Sequence, residues 1–98
     1  MKYYFYKITC ISTNEFYIGS TNNFSRRKSS HKKSVNNKSG KKYWCKLYQY
    51  IRANGNWINF CMEIISEESY ESNIEVRKKE QELIILHLPS LNSIKAIK

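Results

Sequence analysis

The chain has 98 residues, is 41% hydrophobic, holds three glycines and one proline, and carries a formal net charge of +9. That length accommodates one domain with a single modest core, and the composition is globular rather than disordered. No apolar run approaches the roughly 18 residues of a membrane span, and the start Met1-Lys2-Tyr3-Tyr4 lacks a signal-peptide core, so no membrane association is expected.

Residues 3–10 alternate and are rich in Tyr, Phe and Ile, which predicts a strand. Ser12-Thr13-Asn14-Glu15 is turn chemistry, and Phe16 to Gly19 predicts a short second strand completing a hairpin. Pleating puts Tyr4, Tyr6 and Ile8 on one face, and Tyr17 with Gly19 on one face of the partner. Ser20, Thr21, Asn22 and Asn23 offer N-caps for a helix from about Phe24 to Lys33, followed by a flexible basic loop from Ser34 to Lys42. Trp44, Leu47, Tyr48 and Ile51 fall at i, i+3, i+4 and i+7 of a second helix, which Asn54-Gly55 stops. Ile58, Phe60, Met62 and Ile64 alternate as a third strand. A last helix is predicted from about Tyr70 to His87, with Glu71 and Glu75 near its positive end and Pro89 preventing its continuation. The order is ββααβα. It specifies an α+β fold, a small antiparallel sheet with helices packed on it, and one domain over residues 1–98 with no internal repeat.

Charge is unevenly placed. There is no aspartate, and no acid lies between Glu15 and Glu63. That stretch carries Arg26, Arg27, Lys28, Lys32, Lys33, Lys38, Lys41, Lys42, Lys46 and Arg52. An all-basic middle is the electrostatic footprint of a nucleic-acid binder; the plain alternative is a solvated lysine-rich surface. Phosphate contacts are expected from Arg26, Lys28, Lys32, Lys33, Lys38, Lys41 and Lys42, which position a nucleic acid without specifying its sequence. Three cysteines, Cys10, Cys45 and Cys61, are odd in number and lack C-x-x-C spacing, which fits a reduced intracellular setting, cytoplasmic or nuclear, and no structural zinc.

The candidate chemistry gathers on few residues. Arg27 and His31 are i and i+4, so both side chains reach the same region above one helical turn. A guanidinium fork matches two phosphate oxygens, an imidazole relays protons, and the hairpin tyrosines supply hydroxyls. Each is unremarkable alone; the combination suits phosphodiester chemistry. Glu80 borders the apolar face formed with Val76, Leu83 and Ile84, and needs a partner there: a bound cation or a lysine. Glu82, with Lys78 and Lys79 behind it, reads as an exposed ion-pair partner, and His87 as a weaker co-ligand candidate. So few carboxylates exclude a two-metal site and leave room for one hydrated Mg²⁺ or Mn²⁺. There is no G-x-S-x-G, no poised Cys/His pair and no glycine-rich phosphate loop.

These segments resemble the GIY-YIG nuclease domain family over nearly the whole chain. Its first motif is matched by Tyr4-Phe5-Tyr6-Lys7-Ile8 and its second by Phe16-Tyr17-Ile18-Gly19-Ser20-Thr21. Its arginine-to-histidine segment is similar to Phe24 through His31, and its middle segment to Leu47 through Gly55, leading into Asn59-Phe60. Val76-Arg77-Lys78-Lys79-Glu80-Gln81 resembles the metal-ligand segment, and Leu91-Asn92-Ser93 the closing asparagine. The resemblance implies a three-stranded antiparallel sheet flanked by three helices, and DNA cleavage with one divalent metal, Mg²⁺ or Mn²⁺. It implies that Glu80 binds the metal, Arg27 stabilises the pentacovalent phosphate, and Tyr6 and Tyr17 position and deprotonate the attacking water. His31 would assist a tyrosine or the nucleophile, and Asn92 would hold the geometry. A phenol with a pKa near 10 is a poor base at neutral pH, so the cationic surround is expected to lower it. Tyr4 and Phe5 depart from the motif's usual Gly and Ile; the Tyr4 ring fills core, stacks on a base or narrows the groove, core packing being the preferred reading.

Three functions follow: a metal-dependent DNA endonuclease, a catalytically silent nucleic-acid-binding module, or a protein-interaction domain with solubilising lysines. The endonuclease reading leads. One active site implies nicking by a monomer unless two copies meet on a duplex, and the chain is read either as a stand-alone nuclease or as the nuclease part of a longer homing or repair enzyme.

Overall fold

The computed structural model describes residues 1–92. Strands β1 (Lys2–Cys10), β2 (Phe16–Thr21) and β3 (Phe60–Ser69) and helices α1 (Phe24–Asn36), α2 (Lys46–Ala53) and α3 (Asn73–His87) run in the order ββααβα. The sheet is antiparallel with order β2-β1-β3, so the tyrosine-rich first strand is central.

Tyr6, Ile8 and Cys10 project from one face of β1 and pack with Phe60 and Met62 of β3, Val35 of α1, and Leu47, Tyr48 and Ile51 of α2. The opposite face carries the buried Phe5 and Ile18, and there α3 packs on β2 with Val76 and Ile84 buried. The helices therefore lie on both sides of the sheet, α1 and α2 on one and α3 on the other.

Helix starts follow side-chain capping. Asn23 Oδ1 accepts from the Arg26 amide at 3.0 Å, and Ser72 Oγ from the Glu75 amide at 3.4 Å. The last helix thus begins after Ser72 rather than at Tyr70, whose ring instead packs edge-on against Phe5 with centroids 6.1 Å apart. Leu88 in the left-handed region ends it, ahead of Pro89. The first helix runs to Asn36, beyond its expected end, because burial of Val35 against the sheet secures another turn.

Two further boundaries differ from the periodicity. Ile58 is not in the third strand; it sits in a short 3₁₀ turn, Trp57–Asn59, and is 88% exposed. The strand starts at Phe60 and continues through polar residues to Ser69, because it pairs along all of β1, Lys2 opposite Ser69. Trp44 precedes α2 and is 68% exposed, so the second helix's apolar stripe is Leu47, Tyr48 and Ile51 alone. Among the described residues no helix is long and apolar enough to cross a membrane.

Candidate active site

Gly19 sits directly opposite Tyr6 in the β1–β2 ladder. A Cβ at Gly19 would lie 2.5 Å from the Tyr6 hydroxyl and 2.6 Å from its Cζ. The phenol therefore crosses bare backbone, and any side chain there would displace it. On its other side β1 meets an irregularity in β3: Phe5 pairs with Ser66 and Tyr6 with Ile64, leaving Ile65 as an extra residue. Tyr6 is thus seated between a glycine and a bulge.

Its hydroxyl lies 2.7 Å from His31 Nε2, and His31 Nδ1 lies 2.7 Å from the Tyr48 hydroxyl. Arg27, one helical turn before His31, donates from Nε to the Tyr6 oxygen at 3.4 Å. A neutral imidazole has one N–H, so one of the two tyrosines donates to His31 and the other accepts. Trp57 lies nearly parallel to the imidazole at 15°, with centroids 6.4 Å apart. The relay Tyr6–His31–Tyr48 joins β1, α1 and α2 in the interior of the fold.

Burial, and then the nearby charges of Arg27 and Lys42, push the His31 pKa down to about 4. The unfolded value is about 6.5, so the unfolded chain takes up the proton first as pH falls. The stability from a neutral His31 is complete above about pH 6.5 and is lost as pH falls to about 4, a cost of roughly 3 kcal/mol. Urea unfolding across that window should show this slope, and a His31→Gln variant should lack that share of it. Equal slopes in the two proteins would contradict a buried neutral imidazole.

Neither phenol is acidified. Burial raises the pKa of Tyr6 and of Tyr17, and the Arg27 guanidinium offsets it only in part. The expected lowering by a cationic surround therefore fails in the free protein, because desolvation of a phenolate costs more than one guanidinium returns.

On the outer side of β2, Tyr17, Glu80 and Asn92 line a cleft of ≈ 460 Å³ together with Lys46, Arg77 and Gln81. Asn92 pairs with this free edge as a strand would: its Oδ1 accepts from the Ile18 amide at 2.9 Å and its Nδ2 donates to the Ile18 carbonyl at 2.8 Å. The Leu91 amide donates to the Phe16 carbonyl at 3.1 Å, so Tyr17 is bracketed by both contacts. Ser93, next in that motif, lies outside the described residues.

Glu80 is half-buried, and its Oε1 accepts from the Ser20 hydroxyl. The one ion pair among the described residues is Lys2–Glu67, so neither Glu80 nor Glu82 has a lysine partner. Glu82 is exposed and has no ion-pair partner among the described residues, contrary to its reading as an ion-pair partner. Among the described residues no three His, Cys, Asp or Glu side chains gather around a common point, and His87 is exposed at the helix end. A lone half-buried carboxylate with one uncommitted oxygen suits a hard dication that keeps most of its waters, and is unsuited to a closed zinc-type cage.

The family model described as the GIY-YIG catalytic domain matches residues 2–94. The chain belongs to the GIY-YIG family. It is an endonuclease domain of that family, with the three-stranded sheet and three helices expected of it. Two similar solved structures are of the catalytic domain of the homing endonuclease I-TevI. One shares 25% identity, covering 94% of this chain and 90% of that one, with a TM-score of 0.71. The other, an alanine-substituted mutant of the catalytic domain of intron endonuclease I-TevI, shares 26% identity over 87% and 82%, with a TM-score of 0.70. No curated protein sequence gives a match.

In this GIY-YIG domain Tyr4, which stands in the place of the first motif's usual glycine, does not fill core. It is half-buried outside the main cluster and lines a separate groove with Asn22, Asn23, Phe24, Ser25 and Ile64. Arg26, Lys28, Lys32, Lys33, Lys38, Lys41 and Lys42 are all exposed. Arg26 and Arg27 share a groove with Asn22 and Asn23 at the start of α1, while Lys32 and Lys33 line another along its outer side. Arg52 is different: it donates to the carbonyls of Val35 and Tyr43 at 2.8 and 2.6 Å, so its fork is used inside the fold. Sequence reasoning missed three residues of the site. Tyr48 reads as a core position, Ser20 as a helix cap and Trp57 as nothing. An aromatic whose stripe position carries a hydroxyl was the available signal for Tyr48; nothing local signals the other two.

Proposed function

We propose that this domain is a metal-dependent DNA endonuclease with one Mg²⁺ or Mn²⁺ at Glu80. The observation that carries the reading is the pairing of opposite charges around two phenols. The Tyr6 and Tyr17 rings lie with centroids 6.4 Å apart, Arg27 donates to the Tyr6 hydroxyl, and the half-buried Glu80 lines one cleft with Tyr17. A scissile phosphate between them would meet Arg27 on one side and a cation held by Glu80 on the other.

When bound, the ion would supply Lewis-acid polarisation of a phosphate oxygen. Arg27 would neutralise charge growing on the pentacovalent phosphate, its Nε staying engaged with Tyr6. Tyr6 and Tyr17 would orient the attacking water as neutral phenols. His31 Nε2, with its Nδ1–H held by Tyr48, would accept the hydrogen bond of the Tyr6 hydroxyl and so fix that phenol. With a pKa of about 4 the imidazole would not keep a proton, and the water's proton would pass to solvent. Asn92 would keep Tyr17 in place by holding the β2 edge. The exposed cations of α1 and of the following loop, Arg26, Lys28, Lys32, Lys33, Lys38, Lys41 and Lys42, would hold the DNA backbone.

Supercoiled plasmid incubated with Mg²⁺, Mn²⁺ or EDTA tests the reading. Nicking in either metal and none in EDTA is expected. DNA binding without cleavage in any metal would replace it with the silent binding module.

A further inference from the structure

The strongest feature that the proposed chemistry leaves unused is Trp44. An indole is among the costliest side chains to leave in water, yet this one is 68% exposed. It is also braced. Tyr43 meets it edge-on at 85° with centroids 4.9 Å apart, and the Arg52 guanidinium stacks 3.6 Å from the Tyr43 ring centroid. The backbone on either side is pinned as well, the Tyr43 carbonyl by Arg52 and the Trp44 carbonyl by the Gln49 amide. Such bracing fixes an aromatic plane in solvent, at no benefit to the core.

Its surroundings say what fits the plane. The chain has no acid between Glu15 and Glu63, and Lys41, Lys42 and Lys46, all exposed, lie within three residues of Trp44 in sequence. The next two residues, Cys45 and Lys46, line the same cleft as Tyr17 and Glu80. A polyanion following the lysines into that cleft would pass Trp44 just before it reaches Tyr17 and Glu80.

We propose that Trp44 is a stacking platform for an unpaired base of the strand entering the cleft, so that the domain prefers DNA with unpaired nucleotides over continuous duplex. This rests on the endonuclease reading for the cleft but not for the binding. Within a continuous duplex every base face is covered by its neighbours, and exposing one costs a few kcal/mol of unstacking. Single strands, flaps and branches present free faces, and an aromatic among lysines binds them without regard to sequence. Tyr43 and Arg52 act here as positioning residues for the indole.

The test measures anisotropy of labelled DNA in EDTA, with a single strand, a flapped duplex and a continuous duplex, for wild type, Trp44→Ala and Trp44→Phe. Trp44→Ala should lose about ten- to a hundredfold in affinity for the single strand and the flap, and less than about twofold for the duplex. Trp44→Phe, still planar, should recover most of the loss. Since the ring is exposed, the melting temperatures of all three should agree closely. Equal loss on all three DNAs, no loss on any, or a Phe variant as weak as Ala would each overturn the platform. Cleavage of the same DNAs by wild type in Mg²⁺ and in Mn²⁺ is scored separately: its absence in both would sink the endonuclease reading while the binding comparison still decides the platform.

Discussion

Glu80→Gln is expected to abolish cleavage, by about a thousandfold or more, while DNA is still bound. The substitution is nearly isosteric and keeps an oxygen for the Ser20 hydroxyl, so α3 should stay docked on β2. What changes is charge. A hard dication with a single protein carboxylate loses its one anionic ligand, and the several kcal/mol of transition-state stabilisation it supplies go with it. Binding should be unchanged or slightly tighter, because removing a carboxylate from a basic cleft lessens repulsion of phosphate. Single-turnover cleavage of a labelled duplex, beside anisotropy of the same duplex, separates the two effects. Cleavage within about tenfold of wild type would remove Glu80 from the site.

Arg27→Ala should slow cleavage by about 10²–10³, the usual cost of removing one preorganised donor from a developing oxyanion. Arg27→Lys should recover only a small part of it. A lysine keeps the charge, but it loses the planar fork for two phosphate oxygens and the Nε–H that reaches the Tyr6 hydroxyl. The loss should fall on the single-turnover rate at saturating DNA more than on affinity, since seven exposed cations, Arg26, Lys28, Lys32, Lys33, Lys38, Lys41 and Lys42, remain for the backbone. A variant that binds poorly and cuts normally once saturated would make Arg27 another phosphate clamp.

The fold was legible where short-range pattern and long-range packing agree. Alternation marks β1, the turn chemistry of Ser12 to Glu15 sets off β2, the spacing of Trp44, Leu47, Tyr48 and Ile51 marks α2, and Asn54-Gly55 marks its end. Pattern failed where a distant partner decides. Ser66 to Ser69 become strand because β1 pairs with them, and Trp44 matches a helical stripe yet lies outside the helix. The same division holds at the site. Arg27 and His31 could be grouped from their spacing, and Glu80 from its apolar neighbours. Tyr48 reaching the far nitrogen of His31, and Ser20 reaching Glu80 from 60 residues away, are products of tertiary packing. The tyrosine pKa values reverse the sequence-based expectation for that reason too. Net charge is visible in a sequence, whereas the depth of burial that outweighs it is not.

The most direct test of a single-metal nuclease is the single-turnover cleavage rate of wild type as a function of Mn²⁺ concentration. One hydrated ion held by Glu80 predicts no rate in EDTA and a simple hyperbola with no cooperativity as the metal is raised. Cleavage that persists in EDTA, or a rate rising with the square of metal concentration, would contradict it.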